Sequence, residues 1–175
     1  EVVVLSREPG GTDLGQGLRK ILLGHETGEI SPRAEALLYA ADRAHHVATK
    51  IRPALAEGKV VLSDRYFDSS VAYQGAAREL DVDEVRNISL WAVDNLIPDL
   101  TVLLDLDAEA AIQRRNKTGT EPDRLEREKV DFFVRARAQY LELAKEPRFL
   151  VVDATLSIDE IQQQIRERVT TMESR

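Results

Sequence analysis

Apolar residues along this chain alternate between short continuous runs and stripes three to four residues apart, and the alternation predicts the elements. The first run, 2–6, reads as a strand ending at Arg7-Glu8-Pro9-Gly10-Gly11-Thr12, where Pro-Gly-Gly turns the chain. Leu14, Leu18, Ile21 and Leu22 share one helical face, predicting a helix over 14–23 that Gly24 stops. Ser31-Pro32 reads as an N-cap followed by proline at the first helical position, opening a long helix over 33–57 that Pro53 should kink or divide. Gly58 ends it, and the run 59–63 is a second strand delivering Asp64-Arg65-Tyr66 at its carboxyl end. Val82, Val85, Ile88, Ala92, Val93 and Leu96 form a stripe over 81–96, broken by Ile97-Pro98-Asp99 before a third strand over 101–106. A short helix over 107–115, a polar interval over 116–123, a helix over 124–145, a strand over 149–152 and a Ser157-capped helix to 169 complete the pattern. Strands separated by helices predict an α/β fold, a parallel sheet flanked by helices on both faces. With no repeat, low-complexity tract or linker, residues 1–175 read as a single domain.

Composition narrows the partners. The net charge of −7 argues against a surface that coats nucleic acid, which needs a broad basic face, yet a few arginines in a cleft suffice for a small anion. There is no cysteine, so disulfides and thiolate metal sites are excluded, and a cytoplasmic setting is the simplest reading. No apolar run approaches the roughly 20 residues that cross a bilayer, so no membrane partner is expected.

Candidate chemistry gathers at predicted strand ends. Arg7 and Arg65 both stand where an open α/β sheet forms its ligand crevice, and guanidinium groups grip phosphate bidentately. Tyr39 and Arg43, four residues apart on a helix, share a face and offer an aromatic plane and a cation to one ligand; packing of Tyr39 in the core with Arg43 paired to an acid is the competing reading. Arg114, Arg115, Lys117, Arg124 and Arg127 surround the polar interval, as a lid over about 114–127 or as a solvated face paired with Asp123, Glu126 and Glu128. His45 and His46 are adjacent on a helix, do not share a face, and like His25 receive no role.

The stretch Asp64-Arg65-Tyr66-Phe67-Asp68-Ser69-Ser70-Val71-Ala72-Tyr73-Gln74-Gly75 resembles the DRY-x-x-S-x-x-A-Y-Q-G signature of thymidylate kinases, and Arg7 to Thr12 resembles that family's R-E-P-G-G-T segment. Tyr39-Ala40-Ala41-Asp42-Arg43, Pro98-Asp99-Leu100-Thr101 with Leu103-Leu104-Asp105, Asp123-Arg124-Leu125-Glu126 and Val152-Asp153-Ala154 are similar to further family segments in the same order, so the resemblance covers the whole chain. It implies a P-loop nucleoside-monophosphate-kinase-like fold and transfer of a phosphoryl group from ATP to thymidine monophosphate, giving thymidine diphosphate on the route to dTTP. In that reading thymine stacks on Tyr39 with contacts from Arg43, Gln74 and Ser70, while Arg7 and Arg65 hold the monophosphate. Tyr73 lies beside the sugar and disfavours a 2′-hydroxyl. Asp64 acts on Mg2+ directly or through water, and Glu8 helps arrange the acceptor phosphate. Arg115 or Lys117 assists transfer, Arg124 closes the lid with Arg114 and Arg127 nearby, and Tyr140 approaches the substrate or packs in the core. A homodimer built partly from helices such as the one bearing Trp91 is also implied.

No G-x-x-x-x-G-K-[ST] occurs in the 175 residues. The resemblance places that phosphate loop and the first strand ahead of Glu1, with the strand between the runs at Val60-Val61-Leu62 and Val102-Leu103-Leu104. The expectation is therefore a chain without its first strand and P-loop, two exposed inner sheet edges, and impaired transfer. A non-catalytic nucleotide-binding module on a kinase scaffold, or a kinase for another nucleoside monophosphate, are the alternative readings.

Overall fold

The computed structural model describes residues 2–117 and 121–173, so Thr118, Gly119 and Thr120 of the expected lid lie outside the described residues. In chain order the elements are β1 (Val3–Arg7), α1 (Asp13–Leu23), α2 (Pro32–His46), α3 (Arg52–Ala56), β2 (Val60–Asp64), α4 (Phe67–Ser70), α5 (Val82–Ala92), β3 (Thr101–Asp105), α6 (Ala108–Lys117), α7 (Val130–Leu143), β4 (Phe149–Asp153) and α8 (Ile158–Glu173). The fold is α/β with parallel pairing, as the alternation predicts. β1 pairs with β2 from Val3↔Val60 to Arg7↔Asp64, and β3 with β4 from Thr101↔Phe149 to Asp105↔Asp153.

Local chemistry accounts for most boundaries. Thr12 caps α1 by accepting the Gly15 N–H, Asp81 caps α5 through Glu84, and Ser157 and Glu160 cap α8 reciprocally. Pro53 has no N–H to give, and the helix divides just before it, widening into a π-helical turn over Val47–Ile51 between α2 and α3. Gly58 turns the chain into β2 at a positive φ of 72°.

The helix expected over 124–145 starts instead at Val130. Asp123 and Glu126 accept each other's backbone N–H, and the Arg124 N–H bonds the Leu23 carbonyl at the end of α1, so a tertiary contact and a polar turn replace the first helical turns.

β2 and β3 are not paired with each other; the strands form two separate two-stranded sheets. One face of the β1–β2 sheet is apolar and uncovered, with Leu5 73% and Leu62 54% exposed, and Leu104 of β3 is 52% exposed. Between the sheets, Val47, Ile51, Phe67, Val71, Val93 and Leu143 form the buried core. Arg148, just ahead of β4, crosses the same divide: its guanidinium takes Asp68 of α4 at 2.7 and 2.8 Å and Thr101 Oγ1 at 2.7 Å.

Phe67 is fully buried at the centre of that core. Phe67→Ala should lower unfolding free energy by about 3–5 kcal/mol. The measurement is a urea midpoint at unchanged slope, and a loss below about 1 kcal/mol would contradict this packing.

Candidate active site

The carboxyl ends of β1 and β2, the C-terminal half of α1, the stretch of α2 from Tyr39 to Arg43, and the segment after β2 converge on a cavity of about 270 Å3. Register alone puts Arg7 beside Asp64 at its mouth. Arg65 follows with φ 68°, a left-handed conformation that is costly for a residue with a side chain, and its guanidinium lies 4.9 Å from the centre of the Tyr73 ring. The turn after β1 is compact, with a cis Glu8–Pro9 peptide. Gly11 is required there, because a Cβ would stand 2.5 Å from His46 Nε2.

Of the residues singled out in the sequence, Arg7, Glu8, Tyr39, Arg43, Asp64, Arg65, Ser70, Tyr73 and Gln74 all line this cavity. Tyr140 does not; its hydroxyl is 2.6 Å from Ser69 Oγ and its ring stands edge-on to Tyr73, behind the wall. Arg114, Arg115, Lys117, Arg124 and Arg127 are also not among the lining residues. Arg114 bonds the Ala154 carbonyl, Arg115 the Glu126 carbonyl and Arg127 the Pro122 carbonyl and Glu121. Asp123, Leu125 and Glu126, from the segment that resembles the family's, also line it, and Arg19 and Phe133 add to the walls without a signal in the sequence pattern. Arg19 came within reach only because its guanidinium caps the Pro9 carbonyl at 2.9 Å.

Two buried carboxylates organise these side chains. Glu8 is 2% exposed and gives one oxygen to Arg43 Nε at 2.5 Å and the other to His46 Nδ1 at 2.9 Å. Both of its oxygens are thus engaged by side chains of α2. His46 in turn meets Ser6 Oγ at 2.7 Å through its other nitrogen, so it braces the carboxylate from below. The sequence reading assigned His46 nothing; adjacency to His45 says nothing about a partner 38 residues away. Arg43 also donates to Ser70 Oγ at 3.1 Å, so it is paired with an acid, as the competing reading has it, while lining the cavity. Beside them Asp42 accepts the Gly10 N–H at 3.2 Å while its Oδ2 is buried without a hydrogen-bond partner among the described residues. Burial pushes its carboxyl above the ordinary range, and the neighbouring Glu8 charge adds to this.

The second carboxylate, Glu35, accepts from Gln74, Arg78 and Arg124 together. Burial pushes its pKa up, but the bonds from Arg78, Gln74 and Arg124 outweigh this and hold it below the usual carboxylate value. Burial likewise holds the Tyr39 phenol well above its ordinary range, so the ring meets the cavity neutral.

Among the described residues no cluster of three or more His, Asp or Glu side chains stands ready to hold a metal ion by itself. The Asp64 carboxylate, exposed at the cavity mouth, makes no hydrogen bond or ion pair among those residues. One such oxygen donor suits Mg2+, which commonly takes one or two carboxylates and completes its shell with water and phosphate oxygens.

The comparisons agree on one family. A sequence model of thymidylate kinase matches residues 1–165. The thymidylate kinase of Leifsonia xyli subsp. xyli is 62% identical over 95% of this chain and 80% of its own length. That of Clavibacter sepedonicus is 61% identical over 95% and 79%, and that of Halothermothrix orenii 48% over 95% and 81%.

Two expected outcomes follow from the buried carboxylates. His46→Leu strips one partner from Glu8 and should cost about 1–3 kcal/mol of stability, read by urea unfolding. Because the folded-state pKa of Glu35 is depressed, its contribution is complete above the unfolded value of about 4.3 and is lost as pH falls through the folded value. The stability gap between parent and Glu35→Gln should therefore close as pH is lowered from about 6 to about 3, and a gap independent of pH would count against the ionised cluster.

Proposed function

This chain belongs to the thymidylate kinase family, and from that premise we propose that its cavity receives thymidine monophosphate as acceptor of the terminal phosphoryl group of ATP. The single observation that carries the reading is the convergence of Tyr39, Arg43, Ser70, Tyr73 and Gln74 with Arg7 and Arg65 on one cavity. That set matches a planar base, a sugar and a phosphate in turn.

In this reading thymine stacks on Tyr39 and meets Arg43, Ser70 and Gln74 at its edge. Glu8 and His46 hold the Arg43 guanidinium in one plane, so its donors are aimed before the base arrives. Arg7 and Arg65 bind the monophosphate, offset its charge and orient the attacking oxygen. That oxygen forms a bond to the γ-phosphorus as the bond to the ADP oxygen breaks. Tyr73, fixed under Arg65, borders the sugar and disfavours a 2′-hydroxyl. Asp64 would hold Mg2+, directly or through water, and the bound ion would offset negative charge on the transferring group. Arg115 or Lys117 would supply a further cation from the lid over about 114–127, and Arg124 would anchor that lid. Tyr140 supports Tyr73 from behind.

The 175 residues contain no G-x-x-x-x-G-K-[ST], so the backbone cradle for the donor phosphates is not among them. Acceptor binding with little phosphoryl transfer is the expected behaviour of these residues on their own. We further read the residues as one domain acting in the cytoplasm as a homodimer, the last supported by Trp91, 81% exposed on α5. Among the described residues no helix is long and apolar enough to cross a membrane.

Calorimetric titration tests this. Thymidine monophosphate should bind in preference to uridine monophosphate, and Arg65→Ala should weaken it by about 10- to 100-fold, the scale of a lost charged hydrogen bond. Absence of binding by a folded chain, or an unchanged affinity in Arg65→Ala, would overturn the reading.

A further inference from the structure

We propose that Glu35 is a specificity-determining positioning residue: it fixes the side-chain amide of Gln74 so that the cavity offers the base a hydrogen-bond acceptor, selecting a pyrimidine that presents an N–H donor. The inference rests on the nucleotide reading above and extends it to the edge of the base that is read.

Glu35 sits in the first turn of α2, fully buried, and is not among the residues lining the cavity. It therefore acts through a neighbour. Its Oε1 accepts Gln74 Nε2 at 3.0 Å and Arg78 Nε at 3.2 Å; its Oε2 accepts Arg78 at 3.2 Å and Arg124. Two guanidinium groups keep it ionised, and an ionised carboxylate only accepts.

A glutamine amide has a nearly symmetric shape but opposite chemistry at its two ends, so rotation of the group exchanges donor for acceptor. Against Glu35 one of the two orientations is allowed, because the other would set oxygen against a buried anion. One N–H of the amide is consequently committed to Glu35, which turns the nitrogen toward the carboxylate and leaves the carbonyl oxygen of Gln74, itself a cavity residue, for the ligand. Thymine carries a proton at N3, whereas cytosine carries a lone pair there. A fixed acceptor favours the first and repels the second. The carboxylate cannot rotate to relax this, since Arg78 spans both of its oxygens and Arg124 holds the second. Arg124 belongs to the polar turn whose backbone N–H also bonds Leu23, so the orientation of Gln74 is tied to the segment that follows α6.

The test compares the affinities of the intact chain and of Glu35→Gln for thymidine and deoxycytidine monophosphates by calorimetry, with unfolding curves to establish that both are folded. In Glu35→Gln the amide of Gln74 is free to rotate, and the preference for the thymidine compound should fall by about tenfold, the scale of one exchanged hydrogen bond. A purely structural role would weaken both nucleotides alike and leave their ratio unchanged, which would overturn the proposal. If Glu35→Gln does not fold, NMR of the Gln74 side-chain amide in the unmodified chain with thymidine monophosphate decides. Slowed exchange of its protons supports the fixed orientation, and exchange at the rate of a free amide overturns it. Failure of the unmodified chain to bind thymidine monophosphate is a separate result that removes the nucleotide reading itself.

Discussion

A carboxylate that water cannot reach must be matched by its surroundings, and the site depends on that requirement at Glu8. Its two oxygens are taken by Arg43 and His46, both from α2, so the end of β1 and the face of that helix are held in one arrangement. Arg43 would otherwise be a long, adaptable cation. With its Nε committed to Glu8 and one NH to Ser70, it has a single plane and a single direction. Truncating any member leaves a buried charge without its partner, which costs more than the net worth of the pair. This cluster accordingly specifies geometry more than it adds stability.

Glu35, about two turns before Arg43 on α2, applies the same rule. It collects Arg78 from the segment after α4, Arg124 from the polar turn and Gln74 from the cavity wall. Two buried anions, Glu8 just after β1 and Glu35 on α2, thus hold the cavity side chains Arg43 and Gln74 in place. That is the arrangement expected where preorganisation, rather than new contacts made on binding, orients the reactants.

The remainder of the fold holds these pieces in register. The two small sheets share no hydrogen-bonded edge, and what joins them is the apolar cluster around Phe67 together with the Arg148 link to Asp68 and Thr101. The outward face of the β1–β2 pair remains apolar and uncovered, as does Leu104 of β3. The cavity lies on the β1–β2 side, where parallel strands end beside each other and Arg7 and Asp64 are paired by register.

The sequence by itself determined what depends on local pattern and on spacing along the chain. Strand positions, the division near Pro53, the cap at Ser157, and the placement of Arg7, Asp64 and Arg65 at strand ends were all legible, because periodicity and turn chemistry act over a few residues. Most of the cavity's lining was legible for the same reason, through segments that keep their order. What only the tertiary structure decided is which groups meet across long separations. His46 with Glu8, Glu35 with Gln74, Arg78 and Arg124, and the start of α7 at Val130 rather than near Arg124 all depend on such meetings. The physical reason is that a buried charge selects its partner by proximity in space, and nothing in the local sequence of a glutamate or histidine records which distant side chain the fold will bring to it.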